Sequence, residues 1–401
     1  MGPSIAILAL GYVLSQFYRV FLAVLADDLS TDLGATPTEL SLASGAWFIM
    51  FALAQFPVGI WLDRYGPRRM TAALFTLGAG GGIFWLSIAT TPVHLIGAMG
   101  LIGIGCSPVL MAPIFMFAKS FSAARFGLLA AWFVAFGTIG NLAGAKPLEF
   151  LATQFGWRPI LLGLLVLTVA VGVAVFLFVK DPPQEEESHE PAAQSSFLSL
   201  LKMKSLWPIF PLMAVFYAVP VGFRGYWIAP YLSNVFGMDS SAVGTLTLWM
   251  AIAMICGSIA YGPLDQWAPS RKWLCITGGT LVVGSMLVLA VWTASSLSLA
   301  TAMLVLCGFA GMGYPVLMGH ARQFFPPSAV GRGVTLLNFF SIGGVGVLQW
   351  TSAALISDET IQNAPVSAFQ MLFWFYAICL GIALLVYLAA RERPDVAQSN
   401  G

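Results

Sequence analysis

Residues 159–179 read PILLGLLVLTVAVGVAVFLFV, twenty-one consecutive positions without a charged side chain. As an α-helix rising 1.5 Å per residue, this run crosses the ~30 Å hydrocarbon core of a bilayer. A membrane β-barrel would instead show ~10-residue segments of alternating polarity, and none occur here. The rest of the 401-residue chain has the same character: 59% of it is hydrophobic, 9% is charged, and its mean hydropathy is +0.86. A soluble domain carries about 25% charged residues, so most of this surface does not face water. The net charge of +1 and the lack of a long basic tract give no reason to expect a nucleic-acid partner. The partners implied are a lipid bilayer and a small molecule. The five cysteines lie in or at the ends of apolar segments and match no metal or disulfide spacing, so they are expected to pack between helices. No cofactor motif is present.

Outward from that run, apolar windows place spans near 4–26, 40–62, 70–89, 93–117, 126–148 and 159–179. A second set lies near 207–232, 242–264, 273–293, 297–320, 332–354 and 368–389. With no basic leader and cleavage site in front of it, 4–26 is expected to be a retained first span. The expected fold is an all-α membrane protein of twelve transmembrane helices, arranged as two pseudo-symmetric six-helix bundles. The bundles are expected over 1–179 and 207–390, joined by the acidic, Pro-containing linker 180–206 and followed by a tail over 391–401. Fourteen Lys and Arg residues, from Arg64, Arg68 and Arg69 to Arg391 and Arg393, fall on one side of this topology. Only Lys146 and Arg158 fall on the other. That imbalance puts both termini and the linker in the cytoplasm, and the compact chain suggests a bacterial inner membrane.

The halves repeat. Pro108-Val-Leu-Met111 recurs as Pro315-Val-Leu-Met318, and at the same offset Arg125 falls on Arg332 and Gly137 on Gly344. At a slightly smaller offset Trp47 meets Trp249 and Asp63 meets Asp265. Two six-span repeats in parallel put a binding site at their interface near the bilayer midplane.

The loop after span 2, Gly59-Ile-Trp-Leu-Asp63-Arg64-Tyr-Gly66-Pro-Arg68-Arg69, closely resembles the signature loop of the major facilitator superfamily. A weaker copy, Gly262-Pro-Leu-Asp265-Gln-Trp-Ala-Pro-Ser-Arg271-Lys272, stands at the matching place in the second half. The resemblance spans the whole chain. It implies transport by alternating access, with the loop acting as a gating latch on the cytoplasmic side; the chain is expected to function as a monomer. Gly59, Asp63, Arg64, Gly66, Arg68, Arg69, Asp265 and Arg271 would form that latch, with Arg125 and Arg332 as possible partners. The alternative is a basic loop that serves topology alone. Gly137, Gly140 and Gly144 in span 5 are similar to the glycine-rich fifth helix of drug antiporters, but the Gly-Pro pair of that signature is missing. Close helix packing accounts for them more simply.

Two charges lie mid-span: Arg19 in span 1 and Arg224 in span 7, its counterpart. An arginine at a helix centre costs at least ~2.5–3.5 kcal/mol by insertion scales, and no Asp or Glu lies mid-span to offset it. Two guanidinium groups without counter-carboxylates make a site suited to an anion, since the planar fork of arginine binds carboxylate or phosphate through two bonds. The alternative is snorkelling, or hydrogen bonding to backbone carbonyls and side-chain amides of neighbouring spans. The pairing resembles the organophosphate–phosphate antiporter branch of the superfamily in position only. Tyr18, Trp47, Tyr217, Tyr226, Trp227, Trp249, Asn141 and Asn338 complete the expected lining, and prolines and glycines around Arg224 predict kinks in span 7. His320 could titrate in a transport cycle or be an interfacial histidine without such a role.

The function expected is secondary transport of a small organic anion, by antiport or proton-linked symport. One alternative is a drug or metabolite exporter with a broad apolar pocket, although exporters of cations generally need an embedded acid. Another is a membrane ligand sensor without transport. An enzyme is not expected, because the chain has no nucleophile elbow, phosphate loop or His/Asp/Glu cluster.

Overall fold

The computed structural model describes residues 2–120, 129, 133, 136–181, 197–325 and 330–392. Among these residues the fold is helical, without strands. Twelve helices follow the twelve apolar windows. The first six are α1 (Gly2–Phe17), α2 (Pro37–Leu62), α3 (Arg64–Ser87), α4 (Pro92–Phe117), α5 (described over 136–143) and α6 (Trp157–Phe178). The second six are α7 (Ile209–Phe236), α8 (Ser240–Trp267), α9 (Arg271–Val291), α10 (Leu297–Arg322), α11 (Gly333–Leu355) and α12 (Pro365–Tyr387). All but α1 and α5 have the length and hydropathy to cross a membrane on their described residues alone. They form two six-helix bundles. The most apolar stretch of α6 is only 28% buried, whereas that of α7 is 72% buried. The run that first suggested a membrane therefore lies at the periphery, and α7 lies at the centre.

Helix starts are written locally. Thr36 and Glu39 close a capping box at α2, with Pro37 in the first turn, and Asp239 caps α8 by accepting from the Ala242 N–H at 2.7 Å. Such caps stabilise a helix by about 1 kcal/mol each. The repeated Pro108 and Pro315 each stand just after a break, where Ser107 interrupts α4 and Gly311–Gly313 interrupts α10.

The structure also corrects the register of the repeat. Gly140 of α5 packs against the Val13 carbonyl of α1, where an added Cβ would lie 1.9 Å from that oxygen. Gly344 of α11 packs in the same way on the Ala214 carbonyl of α7, at 1.8 Å. The structural counterpart of Gly344 is thus Gly140 and not Gly137.

One end of the molecule is rich in acids, and there the bundles meet. The Thr38 N–H donates to Asp358 at 2.9 Å, the Ser240 hydroxyl to Asp27 at 2.7 Å, and Lys146 to the Ser241 carbonyl at 3.1 Å. Deeper in the bilayer α2 and α11 are clasped: the Trp350 indole donates to the Leu42 carbonyl at 3.0 Å, and the Ser41 hydroxyl donates to the Gln349 carbonyl at 3.1 Å. The hydrogen bonds joining the bundles among the described residues thus run from mid-membrane to the acid-rich end, and the chain is closed there.

At the same end, burial and then the neighbouring Asp27 and Asp32 hold the Asp28 carboxyl above the usual carboxylate range. An acid raised in this way binds its proton more tightly folded than unfolded. The fold therefore gains stability as pH falls through that range and lacks it above. Asp28→Asn is expected to raise the melting temperature slightly at neutral pH, with the difference from wild type shrinking on acidification. A difference that stays constant with pH would contradict this.

Candidate substrate site

Both mid-membrane arginines sit where their helix departs from regular α geometry. α1 stops at Phe17, residues 18–20 form turns, and a short helical turn resumes at Phe21–Val24. The Arg19 N–H reaches only the Gln16 carbonyl, at 3.4 Å. No proline or glycine lies between Val13 and Leu33 to announce this break, and the apolar pattern had carried span 1 through to 26. In α7, the π-helical turn Phe223–Trp227 holds Arg224. The two irregular segments meet across the bundle interface, since a Cβ on Gly225 would lie 3.4 Å from the Arg19 carbonyl.

The two guanidinium groups differ in their partners. Arg19 is 7% exposed and lies over two rings of α2, with Cζ 5.0 Å from the Trp47 centroid and 5.2 Å from that of Phe51. Its Nε is buried without a hydrogen-bond partner. Cation–π attraction offsets about 0.5–2 kcal/mol of the desolvation cost but satisfies none of the N–H donors. Arg224 is 2% exposed and is held by oxygens. Its Nη2 donates to the Asn141 carbonyl at 2.9 Å, its Nη1 to Asn141 Oδ1 at 3.3 Å, and its Nε to the Thr247 carbonyl at 3.4 Å.

Trp47 is fully buried, is stacked on Phe51 at 4.9 Å, and has an unpartnered indole N–H. The Tyr226 hydroxyl is likewise buried and unpartnered. Three buried donors without acceptors (Arg19 Nε, Trp47 Nε1 and the Tyr226 hydroxyl) therefore flank this interface. The Tyr217 ring lies tilted against Tyr314 at 5.4 Å, and the Tyr314 hydroxyl donates to Asn338 Oδ1 at 3.2 Å, forming a second polar group in the other bundle.

Other expected lining residues turn away. The Tyr18 hydroxyl pairs with Thr168 Oγ1 of α6 at 2.8 Å, and the Trp227 indole donates to Ser352 Oγ of α11 at 2.8 Å. Both stay within their own bundle. Trp249 is 55% exposed, whereas the next residue, Met250, is fully buried. The Met250 carbonyl faces Gly308 as the Trp47 carbonyl faces Gly103. Met250 is thus the structural counterpart of Trp47, and a register error of one residue turns a helical side chain by about 100°. Phe51 was missed, although its i+4 spacing from Trp47 puts both on one face. Trp47→Ala is expected to slow transport into proteoliposomes roughly 5- to 30-fold through loss of about 1–2 kcal/mol of cation support. Trp249→Ala should leave the rate within about twofold, as is usual for a surface change.

At the opposite end, Gly66 breaks the first turn of α3 with φ 77° and ψ 158°, and the regular helix runs on from Pro67. The Arg68 N–H donates to Asp181 Oδ1 at 2.8 Å, and the Arg68 guanidinium lies 4.7 Å over Phe176. Asp181, just beyond α6, thereby caps the start of α3. The second bundle repeats the device: Ser270, which caps α9, donates to Glu392 just beyond α12. Arg271 pairs with Asp265 at 2.8 Å. Gly59, Arg64 and Arg69 are exposed, and Gly59 has open space around its Cα. Arg125 and the side chains of Asp63 and Arg332 lie outside the described residues. His320 is buried, with Nδ1 2.7 Å from the Tyr387 hydroxyl and Nε2 3.0 Å from the Arg391 carbonyl. A neutral ring that accepts from Tyr387 and donates to Arg391 satisfies both contacts, so His320 ties α10 to α12. Of the five cysteines, Cys106, Cys275 and Cys307 are buried as expected, but Cys256 is exposed.

This geometry agrees with the comparisons. The model of the Major Facilitator Superfamily matches residues 8–231 and 221–401, and the chain belongs to that family of membrane transporters. It is 25% identical to the uncharacterized transporter YybO of Bacillus subtilis over 62% of this chain and 61% of that one, so the match leaves more than a third of YybO uncovered. It is 21% identical to a nitrite extrusion protein of Bacillus subtilis, covering 93% of this chain and 94% of the relative. It is also 20% identical to a putative tartrate transporter of Agrobacterium vitis, covering 97% and 90%. The solved structure of a D-xylose–proton symporter superposes with a TM-score of 0.76 at 15% identity over 97% of this chain and 98% of that one, a likeness of fold alone.

Proposed function

We propose that the chain moves a small organic anion, a carboxylate or phosphate ester, across the membrane by alternating access between its two bundles. The observation that carries this reading is the buried Arg19, its Nε unpartnered, on a segment that packs against the turn holding Arg224, in a chain whose described acids all stand at helix ends or in connecting segments. Such a site lacks negative charge and offers donors, and an incoming carboxylate or phosphate would satisfy both shortfalls. The names of the nitrite and tartrate relatives lean the same way. Arg19, Trp47 and Tyr226 would meet the anion first, with Arg224 reached from the other bundle. Tyr217 and Asn338 would contact the remainder of the substrate. The sidedness of basic residues puts the termini and the 180–206 linker in the cytoplasm and the acid-rich end outside, with the bacterial inner membrane as the setting. In this reading the Gly66 loop is a cytoplasmic latch that tightens when the acid-rich side opens.

A thermal-shift screen of purified protein against tartrate, other mono- and dicarboxylates, phosphate esters and cationic drugs tests the proposal. Stabilisation by members of the anion set is expected, followed by their uptake in proteoliposomes. Stabilisation by cations alone would overturn the anion reading and favour an exporter with a broad apolar pocket.

A further inference from the structure

Arg224 already holds a ligand, and that ligand belongs to the other bundle. The carbonyl and Oδ1 of Asn141 present two oxygens to Nη2 and Nη1, at 2.9 and 3.3 Å. A carboxylate would present its own pair in the same two-pronged way. The carbonyl is free to do this because α5 loosens just beyond it. The Ala145 N–H, which would close a regular helical turn on Asn141, bonds instead to the Leu142 carbonyl at 3.2 Å, and residues 144–145 are in a turn. Five residues past Asn141, Lys146 reaches across to Ser241 of α8. Asn141–Arg224 is therefore one of the ties that shut the acid-rich end, and the segment running from α5 through Lys146 takes part in two of them.

We infer that Asn141 is a gate residue: a neutral stand-in that occupies Arg224 while no anion is bound and yields it when one arrives. Arg224 makes charge-assisted hydrogen bonds with either partner, but an anion adds a Coulomb attraction that neutral oxygens lack. An anion that replaces the neutral amide and peptide oxygens is thus favoured at Arg224. Once displaced, Asn141 no longer joins α5 to α7, and the acid-rich end loses one of its ties. Opening of that end then depends on anion occupancy, because a ligand shifts an equilibrium only through unequal affinity for the two states. An empty carrier stays shut on that side. The exchange of ligands rests on the anion reading above, whereas the tie itself does not.

The test uses spin labels on exposed positions at the acid-rich end, one per bundle: Gln154→Cys and Ala294→Cys, with the five native cysteines replaced. Electron–electron distances are measured in Tris chloride with and without tartrate. Without tartrate, Asn141→Ala, which removes the Oδ1 bond and keeps the carbonyl bond, is expected to raise the long-distance, open population above wild type. Asn141→Asp, whose permanent carboxylate keeps Arg224, should stay closed with or without tartrate and lose exchange. Should Asn141→Ala fail to fold, the Asn141→Asp arm decides: a tartrate response of wild-type size there overturns the gate, and a closed, unresponsive distribution sustains it. Identical tartrate-free distributions in wild type and Asn141→Ala also overturn it. If tartrate moves no variant while Asn141→Ala alone is open, the tie stands and tartrate is not the substrate.

Discussion

Arg19→Lys is expected to abolish anion uptake in proteoliposomes while leaving yield and thermal stability close to wild type. Lysine keeps the charge but loses the planar fork and the ring stacking on Trp47 and Phe51. Hydrogen bonds to charged groups contribute about 1.5–3 kcal/mol each, so losing one of a bidentate pair costs roughly 10- to 150-fold. Arg19→Leu makes the sharper comparison. The native guanidinium is buried with an unsatisfied Nε, and a mid-span arginine costs at least ~2.5–3.5 kcal/mol by insertion scales. The attraction of Trp47 and Phe51 returns about 0.5–2 kcal/mol of that. Arg19→Leu should therefore melt no lower than wild type while transporting nothing. Stability that rises as transport vanishes marks a residue kept for its function, and a clear drop in melting temperature would mean that Arg19 is structural. Arg224→Leu should behave differently: it leaves Asn141 and the Thr247 carbonyl without their donor and should lower stability along with transport.

The second large effect concerns two adjacent glycines of α11. A Cβ on Gly344 would lie 1.8 Å from the Ala214 carbonyl of α7, and only a backbone shift can relieve that contact. Overpacking of a tight interface costs about 1–3 kcal/mol, sometimes more, so Gly344→Ala should lower the melting temperature and deplete folded protein in detergent. Gly343→Ala places its Cβ 3.5 Å from the Ala52 methyl, an ordinary contact. Since alanine favours a helix by about 1 kcal/mol over glycine, that neighbour should be neutral or stabilising. Equal melting temperatures for the two variants would contradict the α7–α11 packing described above.

These residues also show how far the sequence could be read. Long apolar runs and the Gly66-Pro67 loop carry their own physics, because a bilayer admits few folds and a turn with positive φ favours glycine. The twelve helices and the family were legible for that reason. Arg19 and Arg224 were legible as anomalies, since charge at mid-membrane needs an explanation. What their side chains touch was not. The α1 break at residues 18–20 has no proline or glycine to signal it, so tertiary contacts and not local propensity produce it. Trp249 illustrates the limit of repeat matching: identity at a plausible offset paired it with Trp47, yet the aligned caps at Thr36 and Asp239 put Met250 in that role. Asn141 was legible as a polar residue near the site, but its bond to Arg224 depends on two bundles closing on each other, which no local pattern encodes.

Asp181, which caps α3, and Glu392, which accepts from the Ser270 hydroxyl that caps α9, lie beyond the final helix of their own bundles. On the ribosome each bundle therefore receives its fastening last: the first when residue 181 emerges, the second only when synthesis has passed residue 392. The first bundle can be sealed before α7 is made, so the membrane receives a finished half and then its partner. Chains stopped between residues 387 and 392 would hold twelve spans yet lack the closing contacts of Arg391 and Glu392, leaving a complete topology with an unfastened second bundle for quality control to find.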